Sequence, residues 1–238
     1  MAKLATLVDP FTAGSINTTL WNSITGGAAT LDAVNDQIVV AQPTVNGTAN
    51  TFGSTTAFDA TASSIYAQIT PVPNGAGGTR TTFKLTLDAS NSVAMRLQAG
   101  AFVQTLQTAG TTVTTTLATY DAHAHRWWRI RESGGFWNAE VSPDGLNWTT
   151  LLTTAYSWSA TALTFSFQTA ATVTEVAGNS ATIAHVNTRL GGQANPNWPT
   201  VEYGSGFYWG ANGGTIPTDL YVDVSPRTQG STGANRGK

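Results

Sequence analysis

The chain has 238 residues, enough for one large β-domain or for one domain plus a small appendage, and 41% of them are hydrophobic, enough for a sizeable core. Only 10% are charged, against about 25% in ordinary soluble domains, and the net charge of −2 leaves no basic footprint for nucleic acid. Cysteine is absent, which excludes a disulfide frame and thiol chemistry.

The opening "MAKLATLVDPF" carries one Lys and a short apolar run. That run is too brief for the apolar region of a secretory signal or for a membrane span. Helical periodicity is nearly missing from the rest of the chain. No stretch of about 11 residues keeps an i, i+3, i+4, i+7 apolar pattern without Gly, Pro or a run of Thr. Short alternating runs bounded by turn residues recur instead, rich in Thr, which is stiff at χ1 and suits a pleated surface.

In chain order the predicted strands begin with Leu4–Val8, Leu20–Ile24, Ala28–Leu31, Gln37–Ala41 and Thr51–Thr56. Ser64–Thr70, Thr81–Asp88, Val93–Gln98, Ala101–Gln107 and Thr111–Leu117 come next. The last are Arg126–Arg131, Phe136–Val141, Trp148–Leu152, Leu163–Gln168 and Thr182–Asn187. Within them, "TFKLTLDASNSVAMRLQAG" puts Phe83, Leu85 and Leu87 on one face, then Val93, Met95 and Leu97 on the matching face after a polar turn. Parallel pairing would need crossover helices that the pattern lacks. The expected fold is all-β: an antiparallel two-sheet jelly-roll sandwich over residues 1–190.

The stretch "RWWRIRESGGFWNAEVSPDGLNWTTL", Arg126 to Leu151, concentrates Trp and charge. Alternation puts Trp128 and Ile130 on one face of its first strand and Trp127, Arg129 and Arg131 on the other. Trp137, Ala139 and Val141 then form an apolar face, with Asn138 and Glu140 opposite. "ESGG" and "SPDG" supply the turns, with Gly134, Gly135 and Gly145 able to take positive φ. This predicts a three-strand meander, with Arg129 or Arg131 facing Glu140 or Asn138 across its outer surface.

Residues 191–238 change in texture, becoming rich in Gly, Asn and Pro yet keeping Trp198, Tyr203, Phe207, Tyr208, Trp209 and Tyr221. A disordered tail normally has few aromatics. The segment therefore reads as an extended arm that docks on a partner through those six side chains.

Four features bring a family into view: "DPF" with Trp21 downstream, "TTFKLTLDASNSVAMRL", the meander from "YDAHAHRWWRIR" to "SPDGLNW", and the closing "ATIAHVNTRL". Together, over roughly residues 8–190, they resemble the concanavalin A-like lectin/glucanase domain of bacteriophage (actinobacteriophage-type) minor tail proteins. The resemblance implies a non-enzymatic virion structural protein. Such a protein would be released by lysis rather than secretion, be a homo-oligomer among other virion subunits, and have host cell-wall glycan as a further partner. A capsid decoration or head-fibre protein is the alternative, and a carbohydrate-binding module or glycan hydrolase the next.

Residues able to carry chemistry are few. Glucanases that resemble this sandwich carry an E-x-D-x-E or E-x-D-x-x-E strand, whose carboxyls act as acid and nucleophile. None of Glu132, Glu140, Glu175 and Glu202 has another carboxylate two residues away, so no catalytic residue is expected. "SPDGLNW" is one residue short of a sialidase-type Asp-box and reads as a turn. His123 and His125, read at strand spacing with Asp121 on the same side, are candidate metal ligands. No cofactor is expected. Calcium, which legume-type members of the resembled fold bind, has Asp32, Asn35 and Asp36 as its nearest oxygen cluster. Sugar binding would use exposed aromatic platforms, for which Trp127, Tyr156 and Trp158 are the candidates, with Trp209 in the arm.

Overall fold

The computed structural model describes residues 1–25, 29–73, 78–175 and 178–188. The chain divides at Arg189 and Leu190, and only the first of its two units is described. The docking candidates Trp198, Tyr203, Phe207, Tyr208, Trp209 and Tyr221 lie outside the described residues.

The first strands are β1 (Trp21–Thr25), β2 (Ala29–Asp32), β3 (Gln37–Ala41), β4 (Ala49–Ser54) and β5 (Ser64–Thr70). Then come β6 (Thr79–Asp88), β7 (Asn91–Gln98), β8 (Ala101–Thr108), β9 (Thr111–Thr119) and β10 (Trp127–Ser133). The chain ends its described part with β11 (Phe136–Ser142), β12 (Thr149–Ala155), β13 (Thr164–Ala171) and β14 (Ser180–Ala184). They form two seven-stranded antiparallel sheets. Sheet A runs β1-β4-β13-β6-β7-β8-β9, and sheet B runs β12-β11-β10-β5-β14-β3-β2. The predicted two-sheet sandwich is present.

Period-two alternation builds the core between the sheets. Sheet A sends in Phe83, Leu85, Val93, Met95, Phe102, Phe165 and Phe167, all fully buried. Sheet B answers with Ile38, Val40, Ile65, Ala67, Trp128, Ile130, Trp137 and Ile183. Burial of each large side chain contributes roughly 1.5–3 kcal/mol against exposure. Trp21 stacks on Phe52 at 5.0 Å, and Phe83 meets Phe165 edge-on at 4.9 Å.

The meander is as expected. Arg129 pairs with Glu140 and Arg131 with Asn138 in the β10–β11 register. Gly134, Gly135 and Gly145 all take positive φ.

Two ends differ from expectation. Leu4–Thr6 is a 3-10 turn, not a strand. Leu4 and Leu7, three apart, both point into the core there, a spacing that a strand cannot satisfy. Asn187 fixes this segment by donating its side-chain NH2 to the carbonyls of Leu4 and Leu7, at 3.1 and 2.9 Å. At the other end β14 stops at Ala184, because His185 and Asn187 adopt left-handed φ of 55° and 48°.

Candidate functional site

The aromatic candidates are structural. Trp127 does point away from the core, as alternation requires, but it is only 1% exposed. The 142–148 turn roofs it: a Cβ placed on Gly145 would stand 3.0 Å from its ring. Tyr66 and His185 close its sides, at 6.3 and 6.1 Å. The turn is rigid because Asp144 accepts from the N–H groups of Leu146 and Asn147 and from the Asn147 side chain. Tyr156 and Trp158 are half-buried and pack with fully buried Trp137, at 4.8 and 5.5 Å. The Tyr156 hydroxyl donates to Glu132. Burial, and then that carboxylate, push its pKa up to about 12. The expected open platforms are therefore walls of the sandwich.

The histidine cluster departs from its predicted geometry. Residues 122–125 form a turn rather than a strand. Asp121 accepts from the N–H groups of His123 and Ala124, and its own N–H donates to His125 Nδ1 at 3.0 Å. His125 is buried against Phe102, while His123 is exposed. Asp121 Oδ1 and His125 Nδ1 are thus both engaged in the turn. Among the described residues no three His, Asp or Glu side chains are grouped to hold a metal ion. In the β2–β3 turn, Asp32 accepts from the backbone N–H groups of Val34 and Asn35 and from the side chains of Asn35 and Gln37. Its carboxylate closes the hairpin.

The outer face of sheet B is likewise closed by its own pairs. Glu140 is buried and accepts from Arg129, from Arg131 at 2.7 Å and from Thr150 at 3.0 Å. Burial pushes the Glu140 carboxyl up, but the two guanidinium groups outweigh it and hold the pKa below its ordinary value. Arg129 also lies 4.1 Å over the Trp148 ring.

The outer face of sheet A is different. Alternation that turns Phe83 and Leu85 inward turns Arg80, Thr82 and Lys84 of β6 outward, and on β7 it turns Ser92, Ala94 and Arg96 outward. Register brings these together. Arg96 lies directly across from Thr82, between Arg80, which faces Gln98, and Lys84, which faces Ala94. On the other flank, Thr82 faces Gln168 and Lys84 faces Ser166 of β13. Short hydroxyl and amide side chains thus floor the centre of this face, hemmed by three half-buried cations. Thr82 is 2% exposed and Ala94 1%, although both point away from the core. Among the described residues, Asp88 is the single carboxylate on the strands of this sheet, and it caps the β6–β7 turn through Ser90 and Asn91.

This topology and this alternation have counterparts. The fold is that of the concanavalin A-like glucanases. The β-glucanase of Bacillus licheniformis shares it over 75% of this chain and 94% of its own, at 11% identity and a TM-score of 0.57. The catalytic domain of an endo-1,3-β-glucanase (laminarinase) from Thermotoga petrophila matches 75% of this chain and 94% of its own, at 9% identity and 0.58. The apo Crh5 transglycosylase matches 78% and 85%, at 14% identity and 0.58. Neither a protein-family model nor a curated protein matches the chain.

These likenesses correct the expected function. The sequence favours a non-enzymatic virion protein and keeps a glycan-active protein as an alternative. The three solved structures named above are two glucanases and a transglycosylase, and the non-enzymatic virion reading finds no counterpart among them. The expectation that the chain is not an enzyme falls with the reading that supported it. The acids Glu132 and Glu140, weighed as catalytic candidates, are held in sheet B: Glu132 by Gly135, Ala62 and Tyr156, and Glu140 by its arginines. Glu202, Asp219 and Asp223 lie outside the described residues. Among the described residues no helix is long and apolar enough to cross a membrane.

The sequence reasoning passed over Arg80, Lys84 and Arg96. The alternation of "RTTFKL" and "SVAMRL" carried the signal, but its apolar half drew the attention.

Proposed function

We propose that the chain is a glycan-active protein that takes a carbohydrate on the outer face of sheet A. The observation that carries this is the half-buried Arg80, Lys84 and Arg96 beside Thr82, Ser92, Ser166 and Gln168, on a sheet face whose charged side chains, among the described residues, are not paired with one another. Hydroxyl and amide groups serve as donors and acceptors to sugar hydroxyls, and the cations extend that donor set. The likeness to glucanases supports the reading through the shared fold. Sheet B supplies no comparable surface, because Trp127 is roofed and Glu140 is saturated.

The test is retention of the chain in gels carrying a panel of neutral and acidic polysaccharides, together with release of reducing ends from the same panel. Ala94→Trp would force an indole into the centre of this face, on the side away from the core. It is expected to weaken retention, and any turnover, by at least about tenfold, while the protein still unfolds in one cooperative transition at a lowered melting temperature. Failure of every polysaccharide, or an Ala94→Trp protein that behaves like wild type, would overturn the proposal.

A further inference from the structure

Resting on that reading, we infer that the sheet A face selects acidic glycans, holding their carboxylate or sulfate groups on Arg80, Lys84 and Arg96. Three features of the face carry this. The cations are close: Arg80 and Lys84 stand four residues apart on β6, about 13 Å at 3.3 Å per residue. Arg96 stands on the neighbouring strand opposite the residue midway between them, so it is a diagonal neighbour of both, at roughly 7–8 Å. Second, among the described residues none of the three has a carboxylate partner, whereas Lys3, Arg129 and Arg131 do. Third, the Nε–H groups of Arg80 and Arg96 are sealed from water and reach no acceptor. A buried donor without an acceptor is costly, and like charges on adjacent strands repel.

The electrostatics agree with the geometry. Burial, and then the Arg80 charge, bring Arg96 down to about 10. Burial, and then Arg96, lower Lys84. The same burial that disfavours the charges in isolation strengthens their pull on an anion, since the local dielectric is low. Guanidinium groups bind carboxylate or sulfate through paired N–H donors, and the lysine adds a compact third charge. An acidic polysaccharide laid along β6 would meet all three cations. A neutral glycan would offer those cations no charge to pair with.

The experiment titrates the full chain with polygalacturonate, chondroitin sulfate, neutral laminarin and polyglutamate at low and high salt. Polygalacturonate, chondroitin sulfate or both are expected to bind more tightly than laminarin, with affinity falling as salt screens the charges. Which of the two binds identifies carboxylate or sulfate as the preferred group. The combined Arg80→Gln, Lys84→Gln, Arg96→Gln protein is expected to lose at least about tenfold in that affinity, and Lys3→Gln to lose none. Arg96→Met, which keeps the aliphatic stem, guards against misfolding: it is expected to melt no lower than wild type and to bind several-fold more weakly. Laminarin binding as tight as the acidic glycans, blocked by Ala94→Trp, would overturn acidic selection and leave the glycan reading standing. Equal binding of polyglutamate would overturn glycan selection in favour of a general polyanion surface. No binding of any polysaccharide would overturn both.

Discussion

Gly145 and Trp127 form a pair in which the smallest residue roofs the largest. Gly145 has φ of 73°, and an added Cβ would meet the indole at 3.0 Å. Gly145→Ala therefore meets strain and collision together, and is expected to cost about 2 kcal/mol, read as a lower urea midpoint with unchanged slope. A second residue-scale device sits at Asp9, which is 8% exposed. Its carboxylate accepts from the Phe11 N–H and from Trp21 Nε1, both at 2.7 Å, and holds Phe11 at a left-handed φ of 61°. Trp21→Phe keeps an aromatic ring against Phe52 but removes the indole donor. It is expected to cost roughly 2–3 kcal/mol, while Trp158→Phe, in a half-buried position, costs less. Chemical denaturation of the two variants side by side measures the difference.

At the scale of elements, the β10–β11–β12 meander depends on one carboxylate. Glu140 sits on the central strand and receives Arg129 and Arg131 from one neighbour and Thr150 from the other. Its pKa is lower folded than unfolded. The unfolded chain therefore binds the proton first as pH falls. The stability it contributes is complete above its ordinary value, near 4.5, and is lost as pH drops through the depressed folded value. Melting temperature is expected to decline below about pH 4.5, and more shallowly in Glu140→Gln. That variant costs roughly 2 kcal/mol at neutral pH, less than the 3–5 of a fully buried pair, because water reaches both arginines.

The meander was also the most legible element, because Gly134, Gly135 and Gly145 bound runs whose parity is unambiguous. Leu4 and Leu7 misled, since a short apolar run does not declare its period. The candidate site was half legible. Parity alone put Arg80, Lys84 and Arg96 outward, but gathering them needed the β6–β7 register, which two flanking turn residues do not specify. Alternation points Trp127 outward, as found, yet its roof comes from the next hairpin. No pattern within "RWWRIRE" announces that contact.

For the molecule as a whole, charge is unevenly spent. A chain with a net charge of −2 places three cations and one carboxylate on the strands of sheet A, while the charges of the meander neutralise one another. An acidic ligand approaching the particle would be repelled weakly at long range and attracted only over that one face. Orientation would then be chosen late, within about a Debye length of 8–10 Å.

The order of strands carries a consequence for how the protein is made. β13 lies between β4 and β6, and β14 lies between β3 and β5. Each is a late arrival that must slot between partners synthesised long before, whereas β6 to β9 zip up consecutively. Until the ribosome has delivered residue 171 the first layer stays split, and until residue 184 the second does, each with raw backbone edges facing the gap. Such long-range closure is slow, and a nascent chain waiting with unpaired edges is exposed to misassembly. Birth, rather than melting, is where this fold is most vulnerable.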